Sequence, residues 1–240
     1  MIITSINNEK IKEIKKLNDK KYRDLTDLFL VEGEHLIKEA YKNNCLKEVV
    51  LLENVDIDID IPKILVKENV IKSISNLSNI NMIGICFKKL KQNIGKKVLI
   101  LDNVQDPGNL GTIIRSSVAF NLDTLIISND SVDLFNTKVL RATQGMIFGL
   151  NIIITDIEEK IKELKEQNYQ IIGTDVNDGI SVNSLEKNDK ICIIMGSEGS
   201  GLKKSTKDLC DKFIYIKMND KCESLNVGVA TSIILYELDK

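Results

Sequence analysis

The sequence predicts an α/β protein with a mostly parallel β-sheet, and three observations support this class. Short runs of Ile, Leu and Val alternate with amphipathic helical patterns along the 240 residues. Several runs, such as VLILDNV, TLIIS and NIIIT, are apolar almost throughout, which is typical of strands buried on both faces between helical layers. With 43% hydrophobic and 28% charged residues, the composition is that of a globular protein with a sizeable core.

The N-terminal part predicts a small α/β unit that begins with basic helices. Asn7 or Asn8 can cap a helix that runs to about Leu17, and a second basic stretch continues to Leu25. The elements expected next are strand FLVEG, helix 34–42, strand KEVVLLE, a short edge strand in DIDIDI, strand KILV, helix 67–73 and strand MIGICF. The polar stretch KKLKQNIGKK predicts a linker, so the expected domains are 1–94 and 95–240.

The C-terminal part predicts a more regular alternation of strands and helices. The expected elements are strand VLILDNV, helix 108–120, strand TLIIS, helix 136–143, strand NIIIT, helix IEEKIKELKEQ, strands QIIGTD and KICIIMG, a short helix after Gly201, strand KFIYIKM and a last helix 226–238. This order predicts a parallel sheet covered by helices.

Composition also indicates where in the cell the protein is located and whether it contains disulfides or a metal site. The N-terminus is charged and no apolar run approaches the roughly 18 residues that span a bilayer, so we expect a cytoplasmic protein without a membrane partner. The cysteines are odd in number and lack C-x-x-C spacing, which predicts reduced packing residues and neither disulfides nor a metal site. These cysteines are Cys45, Cys86, Cys192, Cys210 and Cys222.

The single histidine argues against imidazole-based nucleophilic catalysis. His35 lies at the start of a helical pattern, with no nucleophile nearby in sequence, so we expect a surface position or the first turn of a helix.

The net charge of −2 conceals a basic N-terminal segment. Residues 1–23 contain seven Lys or Arg residues against three acidic ones. This segment could follow the phosphates of a nucleic acid, and a solvated helix face is the alternative.

Three loops follow predicted strand ends, where parallel α/β sheets bind ligands. They are DNVQDPGNLGTIIR, MGSEGSGL at 195–202 and MNDKCESLNVGVA at 218–230. The second loop matches neither the dinucleotide fingerprint G-x-G-x-x-G nor a phosphate-binding P-loop. Its glycines allow the main chain to wrap a small ligand, although an ordinary tight turn is the alternative.

In combination, these loops resemble the three ordered motifs of the SpoU (TrmH-like) branch of the SPOUT methyltransferases. The matching residues are N-x-G-x-x-x-R from Asn109 to Arg115, M-G-S-E-G-S-G-L from Met195 to Leu202, and S-L-N-V-x-V-A from Ser224 to Ala230. The resemblance implies a homodimeric enzyme with a trefoil-knotted C-terminal domain. Its expected reaction moves a methyl group from S-adenosylmethionine to a ribose 2′-hydroxyl in RNA.

The opening ITSINNEKIKEIKKL and FLVEG resemble the N-terminal substrate-binding domain of members that act on ribosomal RNA. This resemblance implies RNA as partner, with 23S ribosomal RNA favoured and transfer RNA as an alternative. Two rival functions are a non-catalytic RNA-binding module in ribosome assembly and a dinucleotide-dependent oxidoreductase.

The resemblance also implies the site residues. The catalytic set is Asn109, Arg115, Glu198, Ser224 and Asn226, and the donor-binding set is Thr174, Gly196, Gly201, Ile216, Met218 and Leu225. Arginine stays protonated, so we expect Arg115 to grip an RNA phosphate and stabilise the developing alkoxide, while the phosphate, Glu198 or water takes the proton.

Each of these residues also has a structural alternative. Asn109 and Ser224 could be helix caps, Glu198 a solvated turn carboxylate and Arg115 a surface ion-pair partner. Two positions depart from the family pattern. Tyr215 stands where relatives often have proline, and Gly228 where they often have serine.

Overall fold

The computed structural model describes residues 2–75, 77–89, 93–176, 178–186 and 188–240. The chain forms two compact units, one from Met1–Lys89 with Asp133–Gly149 and the other from Leu90–Val132 with Leu150–Lys240. Residues 90–92 of the predicted linker lie outside the described residues, and the domain boundary at 94 stays a prediction.

The first unit is a mixed sheet with helices, as the sequence predicts. Its strands are Ile2–Ile3 (β1), Leu28–Glu32 (β2), Leu46–Leu52 (β3), Lys63–Val66 (β4) and Met82–Phe87 (β5). Its helices are Glu9–Lys16 (α1), Lys20–Thr26 (α2), Glu34–Lys42 (α3), Glu68–Ile74 (α4) and Thr137–Ala142 (α6), with a 3₁₀ turn at Met146–Phe148. The strand order is β1-β4-β3-β5-β2, with β5 antiparallel to both of its neighbours.

The prediction of an edge strand in DIDIDI is wrong. Among the described strands, β1 pairs with β4 and occupies that edge, whereas residues 56–61 form none. The segment bonds to itself, because Ile59 N donates to Ile57 O (3.0 Å) and Ile61 N to Ile59 O (3.1 Å). Alternate carboxylates on so short a run favour such local turns over a ladder.

The basic N-terminal segment is largely neutralised within the first unit. The side chain of Asn8 caps α1, and four of the segment's seven cations form ion pairs. These pairs are Lys10–Glu48, Lys12–Glu9, Lys16–Glu13 and the buried Arg23–Asp133. Among the described residues, no ion pair includes Lys15, Lys20 or Lys21. The positive surface available to RNA is therefore smaller than the count of cations indicates.

The second unit is a parallel sheet with helices, which confirms the predicted α/β class. Its strands are Lys97–Leu101 (β6), Thr124–Ser128 (β7), Asn151–Thr155 (β8), Gln170–Thr174 (β9), Ile180–Ser181 (β10), Ile191–Met195 (β11) and Lys212–Tyr215 (β12). Its helices are Pro107–Ala119 (α5), Ile157–Glu166 (α7), Lys204–Lys207 (α8) and Val227–Asp239 (α9), with a 3₁₀ turn at Val182–Ser184.

The strand order of this second sheet brings the loops of interest to one edge. The order is β10-β12-β9-β11-β6-β7-β8, and each of its strand pairs is parallel. Strands β12, β9, β11 and β6 are consecutive, so the segments that leave their carboxyl ends are neighbours. The trefoil knot implied by the resemblance stays a prediction.

The cysteines are free, and three of them are buried as expected. Burial raises the pKa of the Cys86 and Cys192 thiols well above their usual range, and it raises the pKa of Cys210 to about 11. The packing role is wrong for Cys222, which is exposed in the loop before α9.

Other expectations concern the histidine, membrane spans and metals. His35 lies exposed in the first turn of α3, as predicted, with Nε2 3.1 Å from Gln144 O. No helix in the described part of the chain is long and apolar enough to cross a membrane. The same residues contain no group of three or more His, Cys, Asp or Glu side chains that could hold a metal ion.

Candidate active site

Two of the three predicted loops enclose a cavity of about 500 Å³ in the second unit. The second loop, at the end of β11, and the third loop, after β12, form its walls, together with the end of β9. Eight of the eleven predicted site residues line this cavity. They are Thr174, Gly196, Glu198, Gly201, Ile216, Met218, Ser224 and Leu225.

Two further predicted residues join the cavity through a chain of hydrogen bonds. Asn226 donates from Nδ2 to Asn109 Oδ1 at 2.8 Å, and Asn109 donates from Nδ2 to Glu198 Oε1 at 2.6 Å. These two hydrogen bonds therefore connect the third, first and second loops in that order. Because the last acceptor is a carboxylate, its hydrogen bond is charge-assisted and stronger than a neutral one.

The starts of two helices position this hydrogen-bond chain. Asn226 is the N-cap of α9, and its Oδ1 accepts from Gly228 N (3.0 Å) and Val229 N (3.2 Å), which leaves Nδ2 free to donate to Asn109. Asn109 lies in the first turn of α5 and is not its N-cap. Asp106 is the cap of that helix and accepts from Asn109 N at 2.8 Å.

Arg115 does not join this cluster. It is exposed on α5, does not line the cavity, and has no hydrogen bond or ion pair among the described residues. Six residues of α-helix turn the chain by about 600°, so Arg115 and Asn109 point in different directions. Asn109 and Arg115, which the resemblance assigns to one catalytic set, therefore do not face one site within a single chain.

The second loop is closed by its own main chain. Ser197 N donates to Gly201 O and Gly201 N to Ser197 O, both at 3.1 Å, in a short antiparallel bridge. A Cβ atom at Gly196 would lie 2.2 Å from the carbonyl carbon of Gly201, so only glycine fits there. Gly201 has φ of +65°, which also favours glycine. Both glycines are thus required by the loop's shape.

Sequence reasoning missed an ion pair on the cavity wall. Lys207 Nζ lies 2.9 Å from Asp175 Oδ2, and both residues line the cavity. Asp175 follows β9 directly, and a carboxylate at the end of a predicted strand is a sequence signal from which this wall residue could have been predicted. Glu198 and Glu223 also line the wall, and the described lining therefore holds three carboxylates and one lysine.

The structure also locates the two departures from the family pattern. Tyr215 pairs with Ser181 at the end of β12 and lines the cavity. Gly228 lies where α9 packs on α5, and a Cβ there would be 3.3 Å from Thr112 and 3.2 Å from Asn226 Oδ1. The absence of a side chain at residue 228 allows the two helices to approach closely.

Family models match most of the chain. The SpoU rRNA Methylase family matches residues 96–236, and the MRM3-like substrate binding domain matches residues 8–83. The first match contains all three loops.

Individual relatives agree with these matches. The chain is 33% identical over 243 residues to a 23S rRNA (guanosine(2553)-2′-O)-methyltransferase, RlmP, of Bacillus subtilis (strain 168), covering 98% of each chain. The AdoMet-bound rRNA methyltransferase of Sinorhizobium meliloti has a TM-score of 0.88 at 28% identity, covering 99% of this chain and 97% of that one. The SpoU methyltransferase AviRb of Streptomyces viridochromogenes shares the fold, with a TM-score of 0.87 at 19% identity over 97% of both chains.

Proposed function

Because the chain belongs to the SpoU rRNA methylase family, we propose that it transfers a methyl group from S-adenosylmethionine to a ribose 2′-hydroxyl in RNA. One observation carries the proposal. The Asn226–Asn109–Glu198 hydrogen bonds join three separate loops beside a single cavity, which is lined by Glu198 and seven other predicted site residues. Independent structural turns would have no reason to converge in this way.

The cavity suits a positively charged donor. Its walls are largely apolar, including Ile214, Leu225 and Ile234, and its charged lining is mainly acidic. Carboxylates attract a sulfonium cation but repel the pyrophosphate of a dinucleotide, which favours cations and helix N-termini. The charge of the wall therefore favours the methyl donor over the oxidoreductase alternative.

The residues of this protein need only bind and orient the donor and the RNA, and exclude water from the site. The donor supplies a methyl carbon on positively charged sulfur, so a carbon–oxygen bond forms as the carbon–sulfur electron pair returns to sulfur and the hydroxyl proton leaves. Glu198 has one carboxylate oxygen engaged with Asn109, and the other is available to the hydroxyl proton. Asn109 fixes the direction of that carboxylate.

The proposed enzyme is a homodimer. Arg115 is exposed and unengaged among the described residues, and the solvent-facing side of α9 carries Val229 and Tyr236, which are 47% and 49% exposed. A second copy could cover these apolar side chains and bring its own Arg115 to an RNA phosphate near the cavity. Light scattering tests this state, and a fully active monomer would contradict it.

The N-terminal unit is the proposed RNA-binding domain. Its match to a substrate-binding domain supports this role, as do Lys15, Lys20 and Lys21 on α1 and α2.

The Phe87 ring is 40% exposed, with Lys47 Nζ 5.8 Å from its centre, a combination that suits a stacked base and its phosphate. Phe87→Ala should weaken RNA binding several-fold and leave S-adenosylmethionine binding unchanged. Tyr41→Ala, which removes another exposed ring, is the control.

The favoured substrate is 23S ribosomal RNA, and the proposed location is the cytoplasm. The RlmP relative acts on that RNA by name, whereas transfer RNA and a non-catalytic assembly role are the alternatives. Calorimetry with S-adenosylmethionine separates an enzyme from a non-catalytic module, because a module has no need for micromolar donor affinity. Methylation of 23S transcripts but not of transfer RNA would support the proposed substrate, and the reverse would overturn it.

A further inference from the structure

We propose that Asp102 is a positioning residue that clamps both ends of the second loop and so sets the affinity for the methyl donor. The proposal rests on the donor site proposed above and concerns a residue outside the cavity lining. Asp102 directly follows β6, and its residue exposure is 1%.

The two ends of the loop are bonded to this one residue. Asp102 N donates to Met195 O at 2.8 Å, where the loop leaves β11. Asp102 Oδ2 accepts from Lys203 N at 3.2 Å, directly after Leu202, the last loop residue on the cavity wall. The loop that carries Gly196, Glu198 and Gly201 is therefore held at its entry and its exit.

A buried hydroxyl reinforces the exit. Thr206 Oγ1 donates to Asp102 Oδ2 at 2.8 Å, and Thr206 is fully buried in α8. The next residue along α8, Lys207, reaches the cavity wall and pairs with Asp175. The contact between Asp102 and Thr206 thus also fixes the helix that supplies the only lysine of the described cavity lining.

The second carboxylate oxygen indicates that stability is not the reason for this arrangement. Asp102 Oδ1 is buried without a hydrogen-bond partner in the described structure, and the nearest cation, Lys203 Nζ, is 3.5 Å away. That ammonium lies closer to Asp130, at 2.6 Å. Burying a half-satisfied carboxylate costs free energy, so a role in fixing the loop explains its presence better than a net gain in stability.

The hydrogen bonds of Asp102 to Met195, Lys203 and Thr206, here called the clamp, also couple the first loop to the second. Asp102 is the first residue after β6, and the loop that continues from it leads to the cap of α5 and to Asn109. A shift of Asp102 therefore moves the first loop together with both ends of the second. Donor affinity should respond to Asp102 although the residue does not line the cavity.

The sharpest test is a pair of substitutions at Thr206 in the full-length protein. Thr206→Val keeps the shape but removes the hydroxyl, whereas Thr206→Ser keeps the hydroxyl and loses a buried methyl group. We expect Thr206→Val to raise the Kd for S-adenosylmethionine about tenfold and Thr206→Ser to leave it within about twofold. A role in packing alone predicts the reverse order.

Asp102→Asn tests the carboxylate itself. It should raise the Kd and the KM for the donor about 10- to 100-fold, while kcat at saturating donor stays within about threefold. Asp189→Asn is the matched control, because it removes a carboxylate from an exposed ion pair with Lys96 and should change neither constant. Circular dichroism and the melting temperature identify any variant that is not folded.

The outcomes separate the clamp from the proposed function. Failure of the wild-type protein to bind S-adenosylmethionine would overturn the proposed function. Normal binding by the wild type, with unchanged Kd in folded Asp102→Asn and Thr206→Val, would overturn the clamp alone. A lower melting temperature with unchanged Kd and KM would likewise mean that Asp102 serves only stability.

Discussion

Replacing Asn109 by aspartate tests the hydrogen-bond chain that joins the loops. The substitution is nearly isosteric, and it keeps an oxygen for the bond that Asn226 Nδ2 donates at 2.8 Å. It replaces the donor that faces Glu198 Oε1 at 2.6 Å by a carboxylate oxygen. One charge-assisted hydrogen bond therefore becomes a contact between two negative charges.

The size of the effect follows from these two terms. A hydrogen bond to a charged group contributes about 1.5–3 kcal/mol, and repulsion between two partly solvated carboxylates adds about 1 kcal/mol. Because each 1.36 kcal/mol changes the rate tenfold, the sum corresponds to a loss of roughly 70- to 900-fold in kcat/KM. Glu198 borders water, which favours the lower part of that range.

The assay measures the Kd for S-adenosylmethionine by calorimetry and kcat/KM by methyl incorporation into RNA. Asn43→Asp, which removes an exposed amide donor to Glu39 O in the other unit, should change neither. Adding Glu198→Gln to Asn109→Asp restores a donor between the two side chains, so the Kd should recover while kcat stays low if the Glu198 carboxylate accepts the proton. Wild-type Kd and kcat/KM in Asn109→Asp alone would refute the linkage of the three loops.

Three further predictions follow from individual contacts. Gly196→Ala should abolish detectable donor binding, since its Cβ would lie 2.2 Å from the carbonyl carbon of Gly201. Gly149→Ala, whose Cβ would lie 3.8 Å from its nearest neighbour, should bind the donor normally, and equal donor affinities of the two variants by calorimetry would contradict this. Cys222 should be the thiol that reacts fastest with a disulfide reagent at pH 8, because it is exposed, whereas Cys210, with its pKa raised to about 11, stays protonated. Cys222→Ser should remove the fast phase of the reaction, and bound donor should slow that phase in the wild-type protein. The Lys203 ammonium lowers the pKa of Asp130 and Asp130 raises that of Lys203, so their pair stabilises the fold from about pH 4 to about pH 10 and loses this contribution as the pH falls below or rises above that window. Asp130→Asn should therefore cost at most about 1 kcal/mol of unfolding free energy at pH 7 and less at pH 3, and an equal cost at both would exclude the ion pair as the cause.

Much of the fold could be predicted because its periodic signals are strong and local. The helix expected at 34–42 is observed as Glu34–Lys42, and the strand TLIIS is observed as Thr124–Ser128. The site could be found because parallel strands bring their carboxyl ends to one edge, so loops that follow such strands have to lie close together.

The remaining features depend on contacts between residues far apart in sequence. The bond from Asn226 to Asn109 spans 117 positions and exists because α9 packs on α5, which no local pattern encodes. Segment Asp133–Gly149 joins the first unit through Phe135 and Phe148, whose rings lie 4.7 and 6.3 Å from that of Phe29. The clamp was invisible for the same reason, since Asp102 and Thr206 are 104 positions apart.

The identity of the methylated atom is the most direct test of the whole account. Unmodified 23S ribosomal RNA would be incubated with the purified protein and S-adenosylmethionine that carries a deuterated methyl group, then digested to nucleosides for mass spectrometry. We predict one 2′-O-methylated nucleoside that carries the label on its ribose, and no product with Gly196→Ala. Label on a base, or no label under conditions where the protein binds the donor, would contradict the proposed reaction.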